Sequence, residues 1–452
     1  MKPTLRLVPV LTLSLLLAAC AARPQVSAVV GARTGAFRTM TVGLCEDYPK
    51  SSRSLEHARR DLETCRESGA KVLRIAFSWL DMEPTPGTYD FSFWDDYIRM
   101  AVDEYGIRLI PYICYTPEWA SSVAGPDFWR APPKDPQAFA RFAAVLVIRY
   151  KDRIHSWELW NEPDNRAYWS GTAGQFADLV KAGSVAVRNA DPGATVVLGG
   201  IAGTTAFLAE LFTQHGISPS VDVVNIHAYF ETWHEEGVER LTDYILRVSD
   251  LLALHGRGQR LWLAEVGYSN FRRPGGSYVS DQYTARFAFE HTADYQAEAL
   301  LRCATLAAAT GKVDLFAWYR INDLPTDVEV IGDVNNRHLG VLTQDGKPKP
   351  ALVALRKAAS LFNAPFRCVN DSVLILHPLA APIEAHAFEA ENGVLTLIAW
   401  HRTALPGEAG QGTEVPPVLP VRFLNADQWL TIPLGRERMT VMNLDTRKVL
   451  GR

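Results

Sequence analysis

The chain has 452 residues, 48% of them hydrophobic and 21% charged, a balance ordinary for a globular protein and long enough for a large core with a second domain. Its 46 basic and 50 acidic residues give a formal net charge of -4, so no basic excess is available to neutralise a phosphate backbone, and no nucleic-acid partner is expected. A small molecule or an uncharged polymer fits that charge better.

Residues 1–20 read as a targeting segment. Lys2 and Arg6 form a positive start, Leu7 to Leu17 an apolar stretch too short to remain in a bilayer, and "LAAC" at Leu17 to Cys20 closes it with small residues before a cysteine. The "LAAC" stretch resembles the lipobox of bacterial lipoproteins, which implies cleavage before Cys20, lipidation of its thiol and a membrane contact through that lipid. An ordinary secretory signal is the second reading. By analogy with lipoprotein sorting, Ala21 in place of an Asp points to the outer membrane, facing the periplasm or the cell surface. Residues 21–37, rich in Ala, Gly, Arg and Val without a period, read as a tether.

Five further cysteines, Cys45, Cys65, Cys114, Cys303 and Cys368, match neither a CxxC pair nor a zinc site. Cys45 and Cys114 fall near the ends of strands on one side of the fold and form one geometrically allowed disulfide; buried free thiols are the other reading.

Short apolar segments then alternate with amphipathic ones. The pattern predicts strands at 38–46, 71–79, 107–116, 154–162, 194–200, 221–229, 260–269 and 312–323. Helical periods such as "SLEHARRDLETCRESG" and "PQAFARFAAVLVIRYK" lie between them, with Gly or Asp-Pro at their ends. Eight strands, each followed by a helix, predict a (β/α)8 TIM barrel over 38–362, with Pro350 starting the closing helix. An open doubly wound sheet would want a Gly-rich turn after the first strand, and "GLCEDYPKSSRS" has none. Beyond Asn363 the alternation in "EAHAFEAENGVLTLIAWHRT" and its neighbours predicts a small C-terminal antiparallel β-sandwich domain over 363–452.

The strand segment "HSWELWNEPD" ends on Glu162, and "RLWLAEVGYS" places Glu265 near the end of the seventh strand. Strand ends at the C-terminal face are where barrel enzymes carry chemistry, so the two carboxylates face one mouth. Simple alternation puts Glu158, Trp160 and Glu162 on one face, and Leu261, Leu263 and Glu265 on one face. Pro163 disfavours helical angles at Glu162, which predicts an extended backbone there. Two glutamates at a cleft match glycoside cleavage, in which one protonates the leaving oxygen and the other attacks the sugar or activates water, with neither metal nor cofactor.

"WNEP" after one strand and "AEVGYS" three strand-helix units later resemble the glycoside hydrolases of clan A. "PTPGTYDFSFWDDYI", "YTPEWAS", "NIHAY" and "FAWYRIND" extend the likeness over nearly the whole chain, and with the trailing β-domain it is most similar to glycoside hydrolase family 39. That resemblance implies a retaining hydrolase with Glu162 as acid/base and Glu265 as nucleophile. It further implies that Asn161 holds the sugar 2-hydroxyl, that His227 and Tyr229 orient the nucleophile, and that Trp318 floors the subsite, with Trp119 at a neighbouring one. Arg74 pairs either with Glu265, to keep it ionised, or with the deeper Glu158 as a structural ion pair; both stay open. The segment 269–293 reads either as a lid carrying Arg272 or Arg273 towards an acidic sugar or as a solvated loop.

The expected activity is endo-hydrolysis of a bacterial exopolysaccharide, with an exo-acting β-xylosidase or a catalytically inactive polysaccharide-binding lipoprotein as alternatives. An assembly factor docking exopolysaccharide secretion machinery is a further partner reading.

Overall fold

The computed structural model describes residues 25–28, 35–370, 373–377, 383–401, 418–423, 430–433 and 439–445; residues 1–20, read above as a targeting segment ending at Cys20, lie outside them. A closed barrel of parallel strands runs in chain order: β1 Thr41–Glu46, β2 Val72–Ser78, β3 Arg108–Cys114, β4 Ser156–Asn161, β5 Thr195–Ile201, β6 Val223–Ala228, β7 Arg260–Val266 and β8 Val313–Tyr319, with β8 pairing back onto β1. Seven of the eight predicted strands contain the observed one, and the fifth, predicted at 194–200, runs one residue further, to Ile201. Alternating with them are α1 Leu55–Ser68, α2 Ser92–Arg99, α3 Pro136–Tyr150, α4 Ala173–Ala190, α5 Thr205–Thr213, α6 Arg240–His255, α7 Ala293–Thr310 and α8 Pro350–Phe362.

The helix ends follow local chemistry. Ser54 caps α1 through the His57 N–H, and the helix stops at Gly69, whose φ of 80° suits a residue without Cβ. Asp135 caps α3 ahead of Pro136, Thr172 and Gln175 close a reciprocal capping box on α4, and Pro350 opens α8.

The barrel interior is plugged below the site by Val72, Ile110, Val197, Val223, Trp262, Leu315 and Ala317, with Cys45 and Ala264. Cys45 donates from Sγ to the Ala264 carbonyl at 3.0 Å, while Cys114 belongs to the outer core; both are free thiols, as are Cys65, Cys303 and Cys368. The two point into different layers, so the allowed disulfide does not form.

Strict alternation fails on the two strands that carry the glutamates. Leu261 and Leu263 face the helices, yet Glu265 faces the interior. Between Asn225 and His227 on β6, β7 runs from Trp262 to Glu265, and between Phe316 and Trp318 on β8 it runs from Leu263 to Val266. That extra residue is a bulge, which re-aims the side chains beyond it. On β4 Trp160 takes φ 82° and turns outward onto Phe139 and Trp169, so that Asn161 faces inward. Glu162 then lies just past the strand with φ 45°, in the left-handed region rather than the extended one. Pro163 excludes the right-handed helical angles there as expected, and the Glu162–Asn165 turn takes up the remaining freedom.

Two glycines on β5 make room for this. A Cβ at Gly199 would lie 2.6 Å from the Leu159 carbonyl oxygen and 2.7 Å from that of Trp160, and one at Gly200 would run into the His227 imidazole.

Beyond α8 the described residues form two four-stranded antiparallel sheets. One consists of Phe366–Cys368, Ile383–Ala390, Val394–His401 and Met439–Asp445, and its Phe366, Phe388, Ile398 and Trp400 join the same core as the barrel helices. The Trp400 indole donates to Glu239 at 2.9 Å, beside Arg302 of α7, which explains why the Ala-rich α7 is buried on every side from Ala299 to Thr310. The other sheet pairs Val373–His377 with Val418–Phe423 and with Gln25–Ala28. Part of the segment read as a tether is thus a strand, its backbone groups satisfied by a sheet edge.

Replacing Gly200 with Ala is expected to lower unfolding stability by about 1–3 kcal/mol, in the range of an overpacked core, and to reduce activity because His227 must move. Denaturant unfolding of the variant against wild type checks this.

Candidate active site

Interior positions two apart on β2 run Val72, Arg74, Ala76, and this places the Arg74 guanidinium, 1% exposed, directly above the apolar plug. Its Nε and Nη2 donate to the two Glu158 oxygens at 2.8 and 2.9 Å, Nη1 donates to Glu265 Oε2 at 2.7 Å, and Nη2 also reaches Asn161 Oδ1 at 2.7 Å. The Tyr112 ring lies 4.1 Å beneath the cation. Both pairings considered for Arg74 therefore hold at once. Glu158, fully buried, also accepts from the Gly200 N–H and the Asn225 amide, so its charge is satisfied within the barrel and it has no part at the cleft.

Glu265 accepts from Tyr229 Oη at 2.7 Å on its other oxygen. Glu162 accepts from Asn165 Nδ2 at 2.9 Å and from His227 Nδ1 at 2.8 Å, and the same His227 nitrogen is 3.6 Å from Glu265. The proton on Nδ1 is assigned by the network behind it. The Ala264 N–H donates to Asn225 Oδ1, which turns the Asn225 amide nitrogen towards His227 Nε2 at 3.3 Å and makes that nitrogen the acceptor. Burial pushes His227 down to about 4, so the ring is a neutral donor at neutral pH.

Burial pushes Glu162 up to about 7, against the Asn165 hydrogen bond and the charge of Arg74. Burial also raises Glu265, and His227, Arg74 and Tyr229 draw it back. Only Glu265 is bonded to a cation, which favours its ionised form, whereas Glu162 is poised to hold a proton near neutrality. The reacting atoms of Glu162, His227 and Glu265 lie within 4.8 Å of one another. This approaches the carboxyl separation of about 5 to 5.5 Å that retention requires and is shorter than the roughly 6.5 Å minimum for inversion. The cluster is also the metal-spaced one among the described residues, but Arg74 already supplies the positive charge at Glu265, and Tyr229 and Asn165 occupy further oxygens. Its chemistry is proton transfer and nucleophilic attack. Glu265 attacks the anomeric carbon as Glu162 protonates the departing oxygen, and Glu162 then deprotonates the water that releases the sugar from Glu265.

Of the residues inferred from the sequence, Glu162, Glu265, Asn161, His227, Tyr229 and Arg74 converge here. Trp318 does not. Leu315, Ala317 and Tyr319 take the interior positions of β8, so Trp318 faces the helix layer, fully buried, with its indole on the Leu339 carbonyl at 3.1 Å; Tyr319 lines the cavity in its place. Trp119 is likewise drawn away, donating to the Glu83 carbonyl at 3.0 Å and packing edge-on against Trp79. Arg272 is tied to the Glu290 and Phe287 carbonyls and Arg273 to Asp333, so 269–293 is braced onto itself and onto the loop after β8, and Gln282 is its contribution to the cavity.

Sequence reasoning missed Asn165, Tyr168, Tyr319 and Trp129. Asn165 sits three residues past Glu162, a turn position visible in "NEPDN", and Tyr319 shares the period-two face of Leu315 and Ala317; the loop aromatics Tyr168 and Trp129 carry no periodic signal. With them the cavity measures about 1330 Å³ and draws on the loops after every barrel strand. That exceeds the roughly 300–1,000 Å³ common for small-molecule sites, leaving space for more than one sugar ring.

The fold and this site define a (β/α)8 barrel enzyme, a glycosidase working through two glutamates. The sequence family described as β-galactosidase, glycoside hydrolase family 42, matches residues 47–131, which run from the end of β1 through β3. No curated protein sequence matches the chain. Among solved structures, a family 39 glycoside hydrolase from Bacteroides cellulosilyticus WH2 is similar at 19% identity and TM-score 0.61, over 90% of this chain and 79% of that one. A family 39 β-xylosidase from Caulobacter crescentus matches at 20% identity and TM-score 0.55, over 81% and 79%. The exo-β-1,4-mannosidase Op5Man5 from an Opitutaceae bacterium, strain TAV5, matches at 18% and TM-score 0.52, over 73% and 61%.

kcat/KM is expected to fall as pH rises through about 7, where free Glu162 loses its proton. Asn165 stabilises the ionised form, so Asn165→Ala should move that alkaline limb to higher pH and leave the acid limb, set by Glu265, in place. A pH–rate profile of the two proteins decides it.

Proposed function

We propose that the protein is an exo-acting retaining glycosidase, of the β-xylosidase type found in glycoside hydrolase family 39, that removes a single sugar from the end of an oligosaccharide. The observation that carries the reading is the pair of buried glutamates, one just past β4 and one on β7, the first beside a neutral histidine and the second beside Arg74, with oxygens within 4.8 Å. The β-xylosidase and the exo-mannosidase among the similar structures support exo action. The size of the cleft favours a second reading, endo-hydrolysis of a bacterial exopolysaccharide, because an internal cut needs sugar sites on both sides of the scissile bond. A binding-only lipoprotein is disfavoured, since a protein that only binds has no use for two glutamates held in such different surroundings.

Aryl β-xylosides, β-mannosides and β-galactosides, xylo-oligosaccharides and extracted exopolysaccharides, with products followed by chromatography and anomer by NMR, separate these readings. Exo action releases monosaccharide with retained configuration from the start; cutting of polymers alone, into long fragments, would sink it. Glu162→Gln and Glu265→Gln are expected to lower kcat by at least about a thousandfold on any substrate cleaved.

We place the protein at the outer membrane, anchored by a lipid on Cys20. Metabolic labelling with a fatty acid is expected to mark the wild type and not Cys20→Ala, which should leave the membrane fraction.

A further inference from the structure

The carboxylate of Asp47 is the feature of the cleft that the two-glutamate mechanism leaves unused. Asp47 directly follows β1, and its backbone N–H is held by Glu46 Oε1 at 3.0 Å, while Glu46 is itself paired with Arg320. Its Oδ1 accepts from Tyr112 Oη at 2.7 Å and its Oδ2 from Tyr319 Oη at 3.2 Å. Tyr112 is the ring under Arg74, so Asp47 stands on the same platform as the nucleophile. A carboxylate has about four acceptor positions, and one phenol on each oxygen leaves acceptor capacity facing the cavity that Asp47 lines.

Barrel order places β8 between β7 and β1, so Asp47 lies one strand beyond Tyr319 from Glu265. Asp47, Glu162, Tyr168 and Glu265 all line one cavity. Asn161, Glu162 and Glu265 attend the anomeric end of a sugar in that space, and Asp47 meets the ring elsewhere.

The arginines lining the cavity are engaged. Arg53 pairs with Asp81 at 2.8 Å, Arg320 with Glu46, and Arg166 donates to the Ser170 and Gly171 carbonyls. Lys50, the lysine of the lining, is turned to Asp90 at 3.8 Å. A uronic acid would bring its carboxylate towards that of Asp47 while the lining cations face other partners, whereas neutral hydroxyl donors complete Asp47's bonding.

We propose that Asp47 is a specificity-determining residue of the glycone subsite, accepting hydrogen bonds from sugar hydroxyls away from the anomeric carbon and excluding uronic acids, so that the sugar released is neutral. The inference rests on the glycosidase reading above and names the substrate class of that same site.

The test compares wild type with Asp47→Asn, which keeps an acceptor for the tyrosines, on the aryl glycoside that wild type cleaves fastest, its 3-deoxy and 4-deoxy analogues, and the aryl β-glucuronide. Asp47→Asn is expected to lower kcat/KM on the parent by about tenfold to a hundredfold, and by much less on the analogue lacking the contacted hydroxyl. The preference for the parent over the glucuronide should shrink in the variant. Equal losses on all glycones would show a bracing role for Tyr112 and Tyr319 and overturn the proposal; so would unchanged kinetics, or a wild type that cleaves the glucuronide best. If wild type cleaves no glycoside, the glycosidase reading fails. Calorimetric binding of xylo-oligosaccharides and their deoxy analogues to both proteins then still tests Asp47, through the same hydroxyl-dependent loss.

Discussion

One buried cation organises the mouth of this barrel. Arg74 is held on two carboxylates and an aromatic ring, and its planar fork lets each donor serve a different partner. Glu158 is the structural partner, neutralising a charge that would otherwise cost several kcal/mol to bury. Glu265 is the chemical partner, and Asn161 is drawn to the same guanidinium. Because Arg74 sits immediately above the apolar plug, the position of the nucleophile is set by barrel packing rather than by a loop.

The second constraint is geometric. A regular parallel barrel would point alternate residues inward and leave Asn161, Glu162 and Glu265 unable to converge. Irregularities occur on β5 and β8 too, but those on β4 and β7 turn the acid/base and the nucleophile into the cleft. Left-handed angles at Trp160 and Glu162 are disfavoured locally by about 1–3 kcal/mol each. They are held by Trp160 packed among Phe139 and Trp169, and by the close approach of Gly199. The site is thus stabilised from the helix layer outside as well as from the interior.

Electrostatics then divide the labour between two carboxylates of the same kind. Both are raised by burial, but a guanidinium touches one and a neutral imidazole the other. Burial keeps the imidazole neutral, and Asn225, itself fixed by a backbone N–H, presents a donor to its far nitrogen and so leaves the ring proton on the nitrogen that faces Glu162. A chain of ordinary amide hydrogen bonds thereby fixes which ring nitrogen donates to the acid/base.

The alternation of apolar segments and helical periods, with Asp135-Pro136 and Pro350 at helix starts, determined the eight-fold barrel, and strand-end position was enough to single out Glu162 and Glu265. Those features depend on local hydrophobic period and on neighbours in the chain, which sequence carries directly. What tertiary structure alone decided was which way side chains turn where the period breaks. Trp318 yields its place to Tyr319, Trp119 is held by Glu83, Leu263 and Glu265 part company, and a piece of the tether joins a sheet formed more than three hundred residues later. Arg74 joins both of its candidate partners for the same reason. Bulges, buried ion pairs and sheet edges are settled by contacts between segments far apart in the chain, and no local pattern records them.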